Sequence, residues 1–363
     1  MKRRIFLGSA AATTTLMALP ELAFADTKMK TLIADAKAEG QLNVITLPRD
    51  WANYGVIMDT FSKKYGIQIN DTNPDGSSAE EIQAIKSLKG QRRSPDALDL
   101  GAPFALSGAS EGLFMPYKVK EWDTIPQNMK NPNGLWVGDY YGVVSFATNT
   151  DVAKNAPKSW KDLKKPEYKG MIALNGTPLG AGAAFAAVFA ASLGNGGSLD
   201  DIKPGIEFFA ELAKIGNLNP AAATGPALLV SGQAPIVINW DYLALGYRDQ
   251  AEGKATIEVH IPEDSKPYGS YYCQAIPADA PNPSAAKLWQ EFLYSNEGQL
   301  LFLAGYAHPV RFVDLDKKGL IPKSLAAKLP PAKSYEGLVY PSNEQLTKAK
   351  ADLSTYWSQM VKV

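Results

Sequence analysis

Between residues 41 and 110 strand-like and helix-like segments alternate, and a second such series starts near residue 140. No other property of the sequence narrows the fold as much. A helix over residues 28–38 stops at Gly40, and Leu42-Asn43-Val44-Ile45-Thr46-Leu47 reads as a buried strand. A loop, Pro48-Arg49-Asp50-Trp51-Ala52-Asn53-Tyr54, leads into a helix with Ile57, Met58, Phe61 and Tyr65 on one face. Gly66 ends it and residues 67–70 form a second strand. Ser77-Ser78-Ala79-Glu80-Glu81 then opens a helix, because a Ser hydroxyl and early acids satisfy its free N–H groups. Ala97-Leu98-Asp99-Leu100 is a third strand, and Pro103 opens the next helix. Such alternation implies a mostly parallel sheet covered on both faces, with ligands beyond the carboxyl ends of the strands. That puts Asp50, Trp51, Asn53 and Tyr54 on one rim with Asp99-Leu100-Gly101.

The second series runs through strands at 141–148 and 171–174, helices at 182–193 and 206–215, and a strand at 230–240. Two separate series each need their own sheet, so two α/β lobes are expected. No period of 20–50 residues recurs, which excludes a repeat solenoid.

The first 25 residues read as an export leader. Lys2-Arg3-Arg4 precedes Ile5-Phe6-Leu7-Gly8, and a mildly apolar run ends at Ala23-Phe24-Ala25, an A-x-A cleavage pattern. Arg3-Arg4-x-Phe6-Leu7 resembles the twin-arginine export signal. Thr13-Thr14-Thr15 and Pro20 interrupt the run, which makes it a poor permanent anchor. No other apolar stretch approaches a membrane-spanning length, so the mature chain is expected to be soluble. Cys273 is the only cysteine, so stability must come from the core without an intramolecular disulfide. Basic and acidic residues balance at 37 each, which argues against nucleic acid or an anionic membrane as partner.

The order of several short segments is more specific. Ser159-Trp160-Lys161-Asp162-Leu163 is followed by Pro166-Glu167-Tyr168-Lys169-Gly170-Met171-Ile172-Ala173-Leu174. Ser231-Gly232-Gln233-Ala234 precedes a strand, then come Ala275-Ile276-Pro277, Ala280-Pro281-Asn282-Pro283 and Ala285-Ala286-Lys287. Phe292-Leu293-Tyr294-Ser295-Asn296-Glu297-Gly298-Gln299 closes the series. In this order the segments resemble the extracytoplasmic solute-binding proteins of ABC importers, in the branch with ferric-ion, polyamine and γ-aminobutyrate binders. The resemblance implies an α/β, two-lobed periplasmic binding protein fold (type II), whose lobes are joined by crossover strands and close on ligand. It implies lobe one at residues 26–142 and 272–312 and lobe two at 143–271, with C-terminal helices of residues 313–363 packing on lobe two. It further implies a periplasmic monomer without cofactor, catalysis or metal, partnered by a small-molecule ligand and an inner-membrane ABC permease.

The strand end Asn239-Trp240-Asp241-Tyr242 is the first candidate binding element. A cleft carboxylate pairs with a ligand ammonium, and Trp240 and Tyr242 would add cation–π faces; Asn239 or Asp241 could equally cap the helix that follows. Asn175-Gly176-Thr177-Pro178-Leu179-Gly180-Ala181-Gly182 precedes a helix, so Thr177, Gly180 and Gly182 are candidates for a ligand's acid end. A plain flexible turn is the alternative. Asp50, Trp51 and Tyr54 are candidates from the first loop, against a hydrophobic staple onto their own helix. Tyr141 and Tyr271 are candidates near the crossovers, where tyrosine also serves as ordinary sheet packing. The expected ligand is an amine-bearing solute, a polyamine or an amino-acid-like molecule.

Two other readings are open. A ferric-ion binder of this branch brings adjacent tyrosines where Trp240-Asp241-Tyr242 stands, and the pair Tyr271-Tyr272 lies past that position. Gly108-Ala109-Ser110-Glu111-Gly112 matches the G-x-S-x-G of serine hydrolases, but that motif needs a strand directly before Ser110. The spacing around Gly180 and Gly182 fits neither the P-loop nor G-x-G-x-x-G.

Overall fold

A computed structural model describes residues 18–219, 225–330 and 332–362, with side chains from residue 27 onward except at 332. The expected Arg3-Arg4 signal lies outside the described residues. The end of the expected leader forms the start of α1 (Ala18–Glu39), which runs through the expected cut and stops at Gly40, whose φ of 74° suits glycine.

The first α/β series follows as β1 (Gln41–Ile45), α2 (Tyr54–Tyr65), β2 (Gln68–Thr72), α3 (Ser78–Ser87), β3 (Leu98–Gly101), α4 (Ala102–Ser110) and the short β4 (Phe114–Met115). A 13-residue strand, β5 (Val137–Asn149), leads to β6 (Ile172–Leu174), α5 (Gly182–Gly194), α6 (Lys203–Ile215), α7 (Pro226–Ser231), β7 (Ile236–Trp240), α8 (Asp241–Gln250) and β8 (Ile257–His260). A second long strand, β9 (Gly269–Pro277), is followed by α9 (Pro283–Leu293), α10 (Asn296–Ala304), β10 (His308–Pro309), α11 (Phe312–Lys317), α12 (Lys323–Ala326) and α13 (Asn343–Met360).

Parallel pairing joins β1 to β2 and β6 to β7, as the alternation predicts. The long strands depart from it, since β9 pairs antiparallel with both β3 and β5, and β5 pairs antiparallel with β7 and β8. β5 and β9 thereby run through one eight-stranded sheet of order β3-β9-β5-β7-β6, beside the separate pair β1-β2, and that larger sheet is mixed. β5 pairs with β9 as far as Val143 and with β7 from Val144 onward. Both long strands are almost wholly buried, and they bury polar side chains such as Asp139, Ser145 and Gln274 among their apolar and aromatic ones.

The helices pack as their patterns dictate. Phe61 of α2 contacts Trp289 and Phe292 of α9, and α1 also lies on α9. The alanine-rich α5 is buried nearly all round, with Phe185 and Phe189 filling space between small residues. Arg311 is fully buried, and its guanidinium reaches Asp314 at 2.6 Å and the Asn296 side chain at 2.9 Å. The last helix, α13, lies against both α4 and α6 rather than on one side alone. Lys350 donates to Ser107 Oγ at 2.8 Å and sits 4.1 Å over the Phe104 ring, while Trp357 meets Phe209. No helix among the described residues is long and apolar enough to cross a membrane.

Candidate functional site

A cleft of about 580 Å³ opens at the carboxyl ends of β1, β3 and β6. It collects the loop after β1, the start of α3, the turn before α5 and the start of α7. Asp50 and Trp51 line it from the first loop, and Thr177 and Gly182 from the facing turn. The first loop is held in an uncommon backbone, with positive φ at Thr46 (60°), Ala52 (45°) and Asn53 (68°). Each such residue costs on the order of 1 kcal/mol, which the surrounding packing must offset.

The two sides of the cleft touch at its floor. Ala79 N–H at the start of α3 donates to the Gly180 carbonyl at 3.2 Å. A Cβ built on Gly101 would stand 3.0 Å from the Gly182 Cα, so any larger residue would press the two backbones apart. Gly101 N–H in turn donates to Ser78 Oγ at 3.0 Å. The expected cap of α3 is present, with Ser77 N–H donating to the Glu80 carboxylate at 2.8 Å.

Aromatic rings form the wall behind Trp51. Its indole packs edge-on to Tyr272 at 5.4 Å and to Tyr242 at 6.1 Å, and Trp240 meets Tyr272 at 6.3 Å. Tyr272 and Tyr247 line the cleft. Trp240 and Tyr242 lie one layer deeper and are buried. Tyr54 is deeper still, fully buried, with its hydroxyl donating to Asp139 at 3.2 Å.

Below the wall is a cluster of carboxyl groups. Trp51 Nε1 donates to Tyr140 Oη at 2.7 Å, and Tyr140 Oη donates to Asp99 Oδ2 at 2.7 Å. Gln274 Nε2 reaches Asp139 at 2.9 Å, the Tyr54 hydroxyl at 3.0 Å and Asp99 at 3.3 Å. Glu81, fully buried, accepts from Asp99 N–H at 2.9 Å. Burial drives the affinities of Glu81 and Asp99 for protons well above the usual carboxylate range, and Asp139 raises that of Asp99 further. Asp139 is raised chiefly by the same burial. The cleft is therefore acidic: Asp50, Asp75, Glu80, Glu81 and Asp99 line it, and its described lining holds no Lys, Arg or His.

The structure separates Asp241 from this cleft. Its carboxylate accepts from Val143 N–H at 2.9 Å and from the Tyr335 hydroxyl at 2.7 Å, and is almost wholly buried. It lines a different cavity of about 410 Å³ together with Arg248, His260 and Lys328. Successive residues at the β7 end point to different sides, so Trp240 and Tyr242 join the aromatic wall while Asp241 turns toward the C-terminal segment. Neither Asn239 nor Asp241 caps α8, whose N-cap is Trp240 without a side-chain bond. Tyr141 belongs with Asp241 rather than with the cleft, stacked on His308 at 5.0 Å. Burial lowers the His308 affinity for protons against the pull of Asp241.

The pair Tyr271-Tyr272 divides in the same way. Tyr272 faces the cleft, whereas Tyr271 stacks on Trp136 and donates to the Asn128 carbonyl at 3.1 Å. Adjacent strand residues project to opposite faces, so the two phenols do not converge on one ion. Ser110 ends α4 with its hydroxyl on the Ser107 carbonyl, and β3 stops nine residues earlier at Gly101, so the nucleophile-elbow geometry is not formed. Glu81 and Tyr247 are not marked as binding residues by any sequence pattern, and among the hinge tyrosines Tyr268, Tyr271 and Tyr272 the one that lines the cleft is Tyr272, not the candidate Tyr271. Strand parity with Gln274 was the available signal for Tyr272; Glu81 looked like one more acid in a helix start.

Residues 95–332 match the family described as bacterial extracellular solute-binding protein. The "Putative 2-aminoethylphosphonate-binding periplasmic protein" of Salmonella typhi is 27% identical over 256 residues, 68% of this chain and 70% of the relative. Two solved structures share the fold. The periplasmic binding protein AfuA from Actinobacillus pleuropneumoniae, with exogenous fructose-6-phosphate bound, matches with a TM-score of 0.70 and 19% identity over 89% of this chain and 99% of its own. Iron-bound HitA from Pseudomonas aeruginosa matches with a TM-score of 0.65 and 20% identity, again over 89% and 99%.

Proposed function

The chain belongs to the bacterial extracellular solute-binding protein family, and from that premise we propose that it captures a small amine-bearing solute for an ABC importer. The observation that carries the reading is the charge of the cleft, which presents five carboxyl groups beside Trp51, Tyr247 and Tyr272 and no described cationic side chain. An ammonium group gains both from the carboxylates and from the aromatic faces, at about 0.5–2 kcal/mol per ring as water is excluded. The start of α5 and the Asn175-Gly176-Thr177 turn suit an acid group at the solute's other end, since a helix N-terminus favours negative charge. A zwitterion with an amine and a phosphonate or carboxylate meets both features, and the aminoethylphosphonate named for a relative has that chemistry. The lobe boundaries belong to the same proposal, with closure about β5 and β9 burying the solute.

A thermal-shift panel tests the reading. It should contain 2-aminoethylphosphonate, γ-aminobutyrate, putrescine, spermidine, fructose-6-phosphate and a ferric salt. Amine-bearing members are expected to raise Tm at concentrations above their Kd, without turnover. Stabilisation by fructose-6-phosphate or ferric ion alone would overturn it.

A further inference from the structure

The floor of the cleft contains a carboxyl group that its own fold leaves half satisfied. Glu81 is fully buried yet lines the cleft; Oε2 accepts from Asp99 N–H, and Oε1 has no hydrogen-bond partner among the described residues. A buried acceptor without a donor is costly, and natural proteins keep one where something else completes it. Among the described residues lining the cleft there is no cationic side chain to do so. The titratable groups around the Asp99 cluster are Asp99 itself on β3, Asp139 and Tyr140 on β5, Tyr54 on α2, Tyr242 on α8, Tyr272 with Cys273 on β9, and Tyr294 just after α9. Across the cleft lies the start of α5, and Asp50, Asp75 and Glu80 stand at its rim. Every one of these groups is neutral or negative.

A dehydrated carboxylate without a counter-ion keeps its proton instead. We propose that Glu81 is the acceptor for the solute's ammonium group and holds a proton until that group arrives, so that capture of the cation expels one proton to solvent. The step balances: a carboxylic acid and an ammonium ion become a carboxylate–ammonium pair and a free proton. The assignment rests on the reading of the cleft as an amine site and adds to it a residue and a linkage. Affinity then rises with pH, by up to about tenfold per unit while one proton leaves per bound solute.

Infrared difference spectra and calorimetry test this with wild type and Glu81→Gln. Gln keeps an oxygen for Asp99 N–H but cannot ionise. The ligand-free wild type at neutral pH should show a protonated-carboxyl stretch that is missing from Glu81→Gln. Adding 2-aminoethylphosphonate or putrescine, whichever member of the panel binds, should bleach that band. Titration in buffers of low and high ionisation enthalpy should show about one more proton released by wild type than by the variant. The comparison cancels any proton lost by the solute itself. The variant should bind roughly thirtyfold more weakly or worse. Amine binding with an unbleached band, or equal proton release in both proteins, overturns the inference and leaves the amine reading standing. A panel without any amine ligand overturns that reading and the inference with it. An absent band in the ligand-free protein overturns the inference alone, whatever the variant's folding.

Discussion

At the scale of single residues, neighbours in sequence have different tasks. Trp51 is half-buried, places its indole edge against two tyrosines and donates to Tyr140, so it links the aromatic wall of the cleft to the acid cluster. Trp51→Ala should weaken binding of an amine solute by about tenfold, read by calorimetry, since one aromatic face is worth about 1–2 kcal/mol when desolvated. Asp241 makes a contrasting case. Its bonds go to Val143 and Tyr335, so Asp241→Asn should loosen the C-terminal segment without a matching loss of affinity. Hydrogen exchange should quicken around residues 333–340 while Kd changes by less than about threefold. A large loss of affinity with unchanged exchange would return Asp241 to the ligand. The residue types at the β7 end were legible as a cluster able to bind a cation. Their directions were not, because a strand-to-helix junction turns each side chain to a separate side.

At the scale of elements, most boundaries were visible in the sequence because their causes are local. Gly40, Gly66 and Gly216 stop helices with φ near 70–80°, as left-handed caps do. Ser77 and Glu80 cap α3 as their spacing predicts. What local signals could not reveal is that the starts of α3 and α5 meet. The contact depends on Gly101 and Gly182, which are 81 positions apart and nearly touch. Gly101→Val should therefore hold the cleft ajar. The expected result is a smaller solute-induced rise in Tm and a larger radius of gyration with solute present, measured by X-ray scattering. An unchanged compaction would show that this contact is not needed for closure. α13 adds a further long-range constraint, since it bears on α4 and α6 together and its own pattern says only that it is amphipathic.

At the scale of the whole molecule, burying acids links stability to pH. Burial raises Asp96 and Asp71 to about 6 and lifts Glu81 and Asp99 well above the usual range. The folded chain thus keeps protons that the unfolded chain releases above about pH 4, so stability falls as pH rises through that window. His308, whose proton affinity is lowered by burial, acts the other way below its ordinary range, but it is one group against several. Ligand-free Tm should be higher at about pH 5.5 than at about pH 8, and Glu81→Gln should reduce the difference. A flat profile would mean that these acids are hydrated in solution. By itself the sequence determined the alternating elements, their caps, the two-lobed class and an aromatic, acid-bearing site, because each follows from patterns a dozen residues long or from the order of such patterns. Only the tertiary structure decided that Tyr272 rather than Tyr271 lines the cleft, that Asp241 faces away, and that Glu81 and Asp99 form its floor. Those outcomes depend on β9 lying beside β3 and on α3 meeting α5, and contacts between segments so far apart along the chain leave no local trace.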